Sequence, residues 1–145
     1  MKKVKLMALT MGIGASLLLS ACNSNDKVSE GVNKMLDTTG ELSKAIDSGD
    51  QKKVKEVGPK LEDQWSSFED EVKKDNKDMY EKVEKYLDPT IAGSEADTLD
   101  KETLGKLNDQ LIGALKELDE KKNKLWRKTT DSSYRWFLCS LVSHL

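Results

Sequence analysis

Three glutamates flank two aromatic-bearing stripes in the middle of the chain, and their spacing is the first thing that could do chemistry. Glu62 and Glu69 lie seven residues apart, one on each side of Trp65-x-x-Phe68, and at 100° per residue they share one flank of that stripe. Glu84 holds the same relation to Tyr80, Val83 and Leu87. If the two stretches fold as an antiparallel hairpin, Glu69 and Glu84 meet at the rim of the core with Tyr80 nearby. Carboxylates there are hard oxygen ligands suited to iron or calcium. The same residues also suit an ordinary solvated rim, with Glu69–Lys73 and Glu81–Lys85 pairs at i,i+4 spacing and with Trp65 and Phe68 as core anchors.

Catalytic groupings are thin. The single histidine, His144, stands at the end of the chain, so a Ser-His or Cys-His pair cannot be assembled within the body. Glycine-rich phosphate loops, GxSxG and HExxH are absent. The two cysteines and one histidine exclude a Cys/His zinc framework. A non-enzymatic protein is expected.

The pattern Trp65-x-x-Phe68-Glu69-x-x-Val72-Lys73 and then Tyr80-x-x-Val83-Glu84-x-x-Leu87 resembles the helical extracytoplasmic domain that precedes the membrane part of some bacterial iron permeases. It is also similar to a short form of the helical EfeO/imelysin-type iron-uptake lipoproteins. The likeness takes in the Asp47-Ser48-Gly49-Asp50 turn and the leucine-rich stretch further on, covering roughly Leu42 to Leu118. It departs from both groups in chemistry. The permease signature Arg-Glu-Gly-x-x-Glu, the permease's membrane helices and the His-x-x-Glu motif of the imelysin-type proteins are missing. The resemblance therefore implies an accessory or metal-delivering role, with iron as the ligand handled and an iron permease or another envelope protein as the partner. The rival expectation is an envelope interaction module that binds protein through a helical groove and touches no metal.

The first 21 residues have a different task. Lys2, Lys3 and Lys5 precede an apolar stretch over residues 6–19, which leads into Leu19-Ser20-Ala21-Cys22. A basic start, an apolar middle and small residues before a cut read as a secretory signal. The apolar stretch would span about 21 Å as a helix, short of the ~30 Å hydrocarbon core, so a cleaved signal is expected over a permanent membrane helix. Leu-Ser-Ala-Cys resembles the lipobox of bacterial lipoproteins. That resemblance implies that Cys22 takes a diacylglyceryl group, gains palmitate-type acyl chains and becomes the first residue of a protein held on the extracytoplasmic face of the cell membrane.

The remaining chain is acidic. Of the 24 lysines and arginines, three lie in the signal, which holds none of the 26 acids, so residues 22–145 carry 21 cations against 26 acids. With no basic stripe bearing interleaved aromatics in the body, nucleic acid is not expected as a partner.

Recurring at helical spacing, apolar residues then define the elements that must hold the glutamates in place. After a tether over residues 22–27 come Val28, Val32, Met35, Leu36, Leu42, Ala45 and Ile46, closed by Gly49, with Asp50 suited to cap the next helix. Val54, Val57, Leu61, Trp65, Phe68 and Val72 form a second stripe, which Gly58-Pro59 should kink or restart. Tyr80, Val83, Leu87 and Ile91 form a third, ended by Asp88-Pro89, and residues 92–99 then read as an exposed loop. Asp100 or Thr98 can cap a fourth helix bearing Leu104, Leu107, Leu111, Leu115 and Leu118. The expected fold is all-α, an antiparallel up-down bundle of about four helices over residues 28–123.

Residues 124–145 break from this composition. Both arginines of the chain, Arg127 and Arg135, fall there, as do Trp126, Tyr134, Trp136, Phe137, Cys139 and His144. A tail seated at a membrane interface would use such residues. The abruptness of the change favours foreign sequence, such as a frameshifted end, and makes Cys139 and His144 accidental.

Overall fold

The computed structural model describes the backbone of residues 24–142 and the side chains of residues 27–124; the expected signal and Cys22 lie outside the described residues. All the described elements are helical: α1 (Ser24–Ser48), α2 (Gln51–Val57), α3 (Lys60–Ser66), α4 (Glu69–Asp75), α5 (Lys77–Glu95) and α6 (Lys101–Val142). They make four arms, because α2, α3 and α4 are successive segments of one. Each arm packs on its sequence neighbours, and α6 closes the ring against both α1 and α5. This is the expected up-down bundle, with its second arm broken twice.

The periodic residues fill the core. Val28, Val32, Met35, Leu42, Val54, Val57, Leu61, Trp65, Phe68, Val72, Val83, Leu87, Leu111, Leu115 and Leu118 are each no more than 1% exposed. Removing such surface from water is the main force holding the arms together. Met79 is buried with them, although it stood outside the expected stripe.

The boundaries obey local chemistry. Gly49 takes φ +75°. Its N–H bonds to the Ile46 carbonyl and the Asp50 N–H to the Ala45 carbonyl, both at 3.0 Å, which is the Schellman closure that glycine favours. Asp50 accepts from the Lys53 N–H at 3.0 Å and Asp100 from the Thr103 N–H at 3.0 Å, so both expected caps form. Asn76 ends α4 and caps α5 through the Met79 N–H.

At Gly58-Pro59 the second arm restarts as expected, and a further break at Ser67-Phe68 separates α3 from α4. Space explains the first position: a Cβ on Gly58 would lie 1.9 Å from the Ser94 Oγ of α5.

One expectation is overturned. Asp88-Pro89 does not end the third helix, and residues 92–95 are not loop: α5 runs through Pro89 to Glu95. The proline leaves the Lys85 carbonyl without its helical donor, but Lys85 is exposed and water can serve it. The Tyr86 carbonyl accepts from the Thr90 hydroxyl at 2.6 Å. Beyond the proline, Thr90 and Ser94 are buried, and Gly93 lies against the Leu104 side chain. Packing of these two turns outweighs the roughly 3 kcal/mol that an interior proline costs.

α6 does not stop at the compositional boundary. Its backbone continues as helix through residue 124 to Val142. Among the described residues, no helix is long and apolar enough to cross a membrane.

Candidate functional site

The break between α3 and α4 sets the site. It turns Phe68 inward onto α1, where the absence of a side chain on Gly31 makes room for the ring. Trp65, one turn earlier and 1% exposed, meets Phe68 edge-on at 5.2 Å between ring centroids and stacks on Tyr80 of α5 at 5.9 Å. Such contacts add to area burial and fix ring orientation.

With the ring so fixed, the Trp65 indole N–H donates to the Glu84 carboxylate across the α3–α5 contact. A charged acceptor makes this one of the stronger kinds of hydrogen bond. Sequence reasoning placed Glu84 at the rim but missed this partner. The signal was present in residue type: a buried tryptophan needs an acceptor, and Glu84 flanked the facing stripe.

Glu69 opens α4, and the hairpin folding at Asn76 brings it towards Glu84. The pairing shows in electrostatics. Burial pushes the Glu69 carboxyl above the usual carboxylate range, and the negative charges of Glu84, Asp70 and Glu62 push it further, with Lys73 opposing. Glu69 and Glu84 are half-buried, whereas Glu62 is exposed. The three predicted acids therefore sit in one electrostatic neighbourhood around the tryptophan. They do not form a ready-made coordination shell: among the described residues, no group of three or more His, Cys, Asp or Glu is placed to hold a metal ion.

The lysines that could neutralise this rim are used differently from expectation. The Lys73 amine lies over the Tyr80 ring, 4.7 Å from its centroid, and the Lys85 amine lies 5.4 Å from the Tyr86 centroid. Glu81 pairs with Lys77 at 3.3 Å, on its N-terminal side. The acids around Trp65 thus keep their negative field, and an incoming cation would meet little competition from a direct ion pair.

The chain is similar to the iron uptake system component EfeM of Bacillus subtilis (strain 168), with 29% identity over 134 residues, covering 87% of this chain and 34% of that protein. The likeness is to an iron-uptake component. The chain spans about a third of the length of EfeM. No family model matches the chain, and no solved structure matches it. With 87% of the chain inside the match, the Trp65–Glu84 region falls in the part that resembles EfeM.

A groove of about 370 Å³ lies between α1 and α3, bordered by Lys27, Lys34, Asp63 and Gln64. Its lysines are already engaged, Lys27 with Glu71 at 2.9 Å and Lys34 with Glu30 at 2.8 Å. The groove has the charge balance of a solvated surface cleft.

Proposed function

We propose that this protein is a membrane-anchored, extracytoplasmic helical lipoprotein that serves iron uptake as a non-enzymatic accessory. The similarity to EfeM carries the reading, since a helical body matched over most of its length to an iron-uptake component is most simply employed in that process. In this reading Cys22 bears the lipid, iron is cargo, and the partner is an iron permease or another envelope protein. Glu62, Glu69 and Glu84 are the residues through which the bundle would meet the cation. Because Glu84 already accepts from Trp65, contact with iron at this rim is shallow and exchangeable, which suits handing on a cargo better than storing it.

Calorimetry with ferrous and ferric ions, together with iron uptake by cells carrying a deletion, tests the proposal. A deletion strain should take up less iron under limitation and recover with the wild-type chain, and Glu69→Gln with Glu84→Gln should abolish the calorimetric heat. Normal iron uptake in the deletion strain would remove the iron reading. Reduced uptake without any heat of iron binding would favour the second reading, an envelope protein-interaction module without metal; the engagement of Glu84 by Trp65 is the observation on its side.

A further inference from the structure

The two ends of the bundle are unlike. At one, the Lys101 amine at the start of α6 reaches the Asp47 carbonyl at the end of α1, 2.5 Å away. At the other, Lys27 near the start of α1 pairs with Glu71 of α4, and Lys122 of α6 pairs with Asp75 at 2.8 Å. The start of α1, the turn at Asn76 and Lys122 therefore share one end. Because α1 begins at Ser24, two residues after Cys22, a lipid on Cys22 would hold this end at the membrane.

α6 runs on from that same end. Residues 124–142 prolong it by about five turns, or ~28 Å. α1 starts and the α4–α5 turn lies near the level of Lys122, so no described element accompanies the last turns. Here the charge of the chain also changes sign, with Lys124, Arg127, Lys128 and Arg135 against Asp131 alone. At 100° per residue, Trp126, Tyr134, Phe137, Leu138 and Leu141 fall within an arc of about 120° that also takes in Arg127 near its edge, while Lys128 and Arg135, with Leu125 and Trp136, fall outside it. An aromatic and aliphatic arc backed by cations is the pattern of a helix lying in a bilayer interface.

We propose that residues 124–142 form an interfacial arm that lies on an anionic lipid surface beside the anchored end of the bundle. The proposal rests on the membrane-anchored reading of the protein, and it holds whatever the origin of the tail sequence, because it depends only on charge, periodicity and position. Two attachments at one end, a lipid and an arm, fix the orientation of the bundle where a lipid alone would leave it free to swing. The arm's positive charge commits it to anionic lipid over neutral lipid.

The test uses the full chain reconstituted with phosphatidylglycerol or phosphatidylcholine vesicles, with or without bromine on the acyl chains. Trp136→Phe leaves Trp126 in the arm and the buried Trp65 as an internal reference; adding Trp126→Phe leaves Trp65 alone. Brominated phosphatidylglycerol should quench Trp126 from a depth of about 5–10 Å and spare Trp65. Phosphatidylcholine should quench Trp126 far less. Replacing Lys128 and Arg135 with Gln should weaken the arm's hold about fivefold per charge. Protein that floats with the vesicles while Trp126 is quenched no more than Trp65 overturns the arm. Cys139-linked dimers with unquenched Trp126 also overturn it, assigning the arm to a second copy of the chain. Quenching of Trp126 on a chain that mass spectrometry shows unacylated at Cys22 upholds the arm and removes the lipid anchor, and failure to float with either lipid removes both.

Discussion

Gly31→Ala should destabilise the bundle although alanine is the better helix former. An alanine Cβ at this position would stand 2.2 Å from the Phe68 Cδ1 and 2.3 Å from its Cε1, where carbon atoms prefer about 3.5–4.0 Å. The ring cannot simply swing aside, because Phe68 is 0% exposed and Trp65 meets it edge-on. Overpacking of this kind costs about 1–3 kcal/mol, and the severity of the overlap puts Gly31→Ala near the upper end. Against this, replacing a helical glycine with alanine gains about 1 kcal/mol. The net expectation is a loss of about 1–2 kcal/mol. Gly40 and Gly113 supply the controls, since a Cβ at either meets nothing within 4 Å. Gly40→Ala and Gly113→Ala should each gain about 0.5–1 kcal/mol.

Urea unfolding monitored by circular dichroism and tryptophan emission measures all three. The same chemical change should thus differ in sign between positions, with midpoints of thermal unfolding separated by roughly 4–8 °C for each kcal/mol. Phe68→Leu in the Gly31→Ala background should recover part of the loss, giving a coupling of about 0.5–3 kcal/mol. If Gly31→Ala proves as stable as Gly40→Ala, the close contact between α1 and the α3–α4 break is wrong, and with it the placement of Trp65.

Three further outcomes are expected. Glu84→Leu strands the buried Trp65 N–H and should cost about 1–3 kcal/mol, with a change in Trp65 near-ultraviolet dichroism that a mere loss of surface charge would not produce. The raised pKa of Glu69 means that its contribution to stability is fully present below the unfolded value, about pH 4, and is lost as pH rises through the folded value. Glu69→Gln should therefore match the wild type in acid and exceed it at neutral pH, as read from urea midpoints across that range; equal midpoints at every pH would contradict the repulsion. Cys22→Ser should abolish acylation and leave an unprocessed precursor, and a mature, unacylated N-terminus in the wild type by mass spectrometry would refute the lipid anchor.

The arms of the bundle were legible because burial imposes a period. Apolar residues from Val28 to Ile46 and from Leu104 to Leu118 recur at helical spacing because only one face of each helix meets the core, and that requirement is written directly into residue type. Local rules served as well at Gly49, Asp50 and Asp100, where the deciding interaction spans three to five residues. They failed at Pro89, where the deciding interaction is distant. Whether a helix survives a proline depends on what its later turns bury, and here Gly93 and Ser94 pack against segments some 11 to 36 residues away in sequence, at Leu104 and Gly58.

The site divides along the same line. That Glu69 and Glu84 approach each other could be read from the hairpin, because they stand seven and eight residues from its turn at Asn76. Which of them is held, and by what, could not. The break at Ser67-Phe68 has no proline or glycine to announce it; it arises because Phe68 finds its space on Gly31, a residue of another arm. Between the two acids it is Glu84, not Glu69, that accepts from the Trp65 indole. One carboxylate is thereby committed to structure while its neighbour is left half-buried, raised in pKa and without a direct ion pair among the described residues. A symmetric pair of rim acids in the sequence becomes an unequal pair in the fold, and Glu69 is the one free to respond to a proton or a cation.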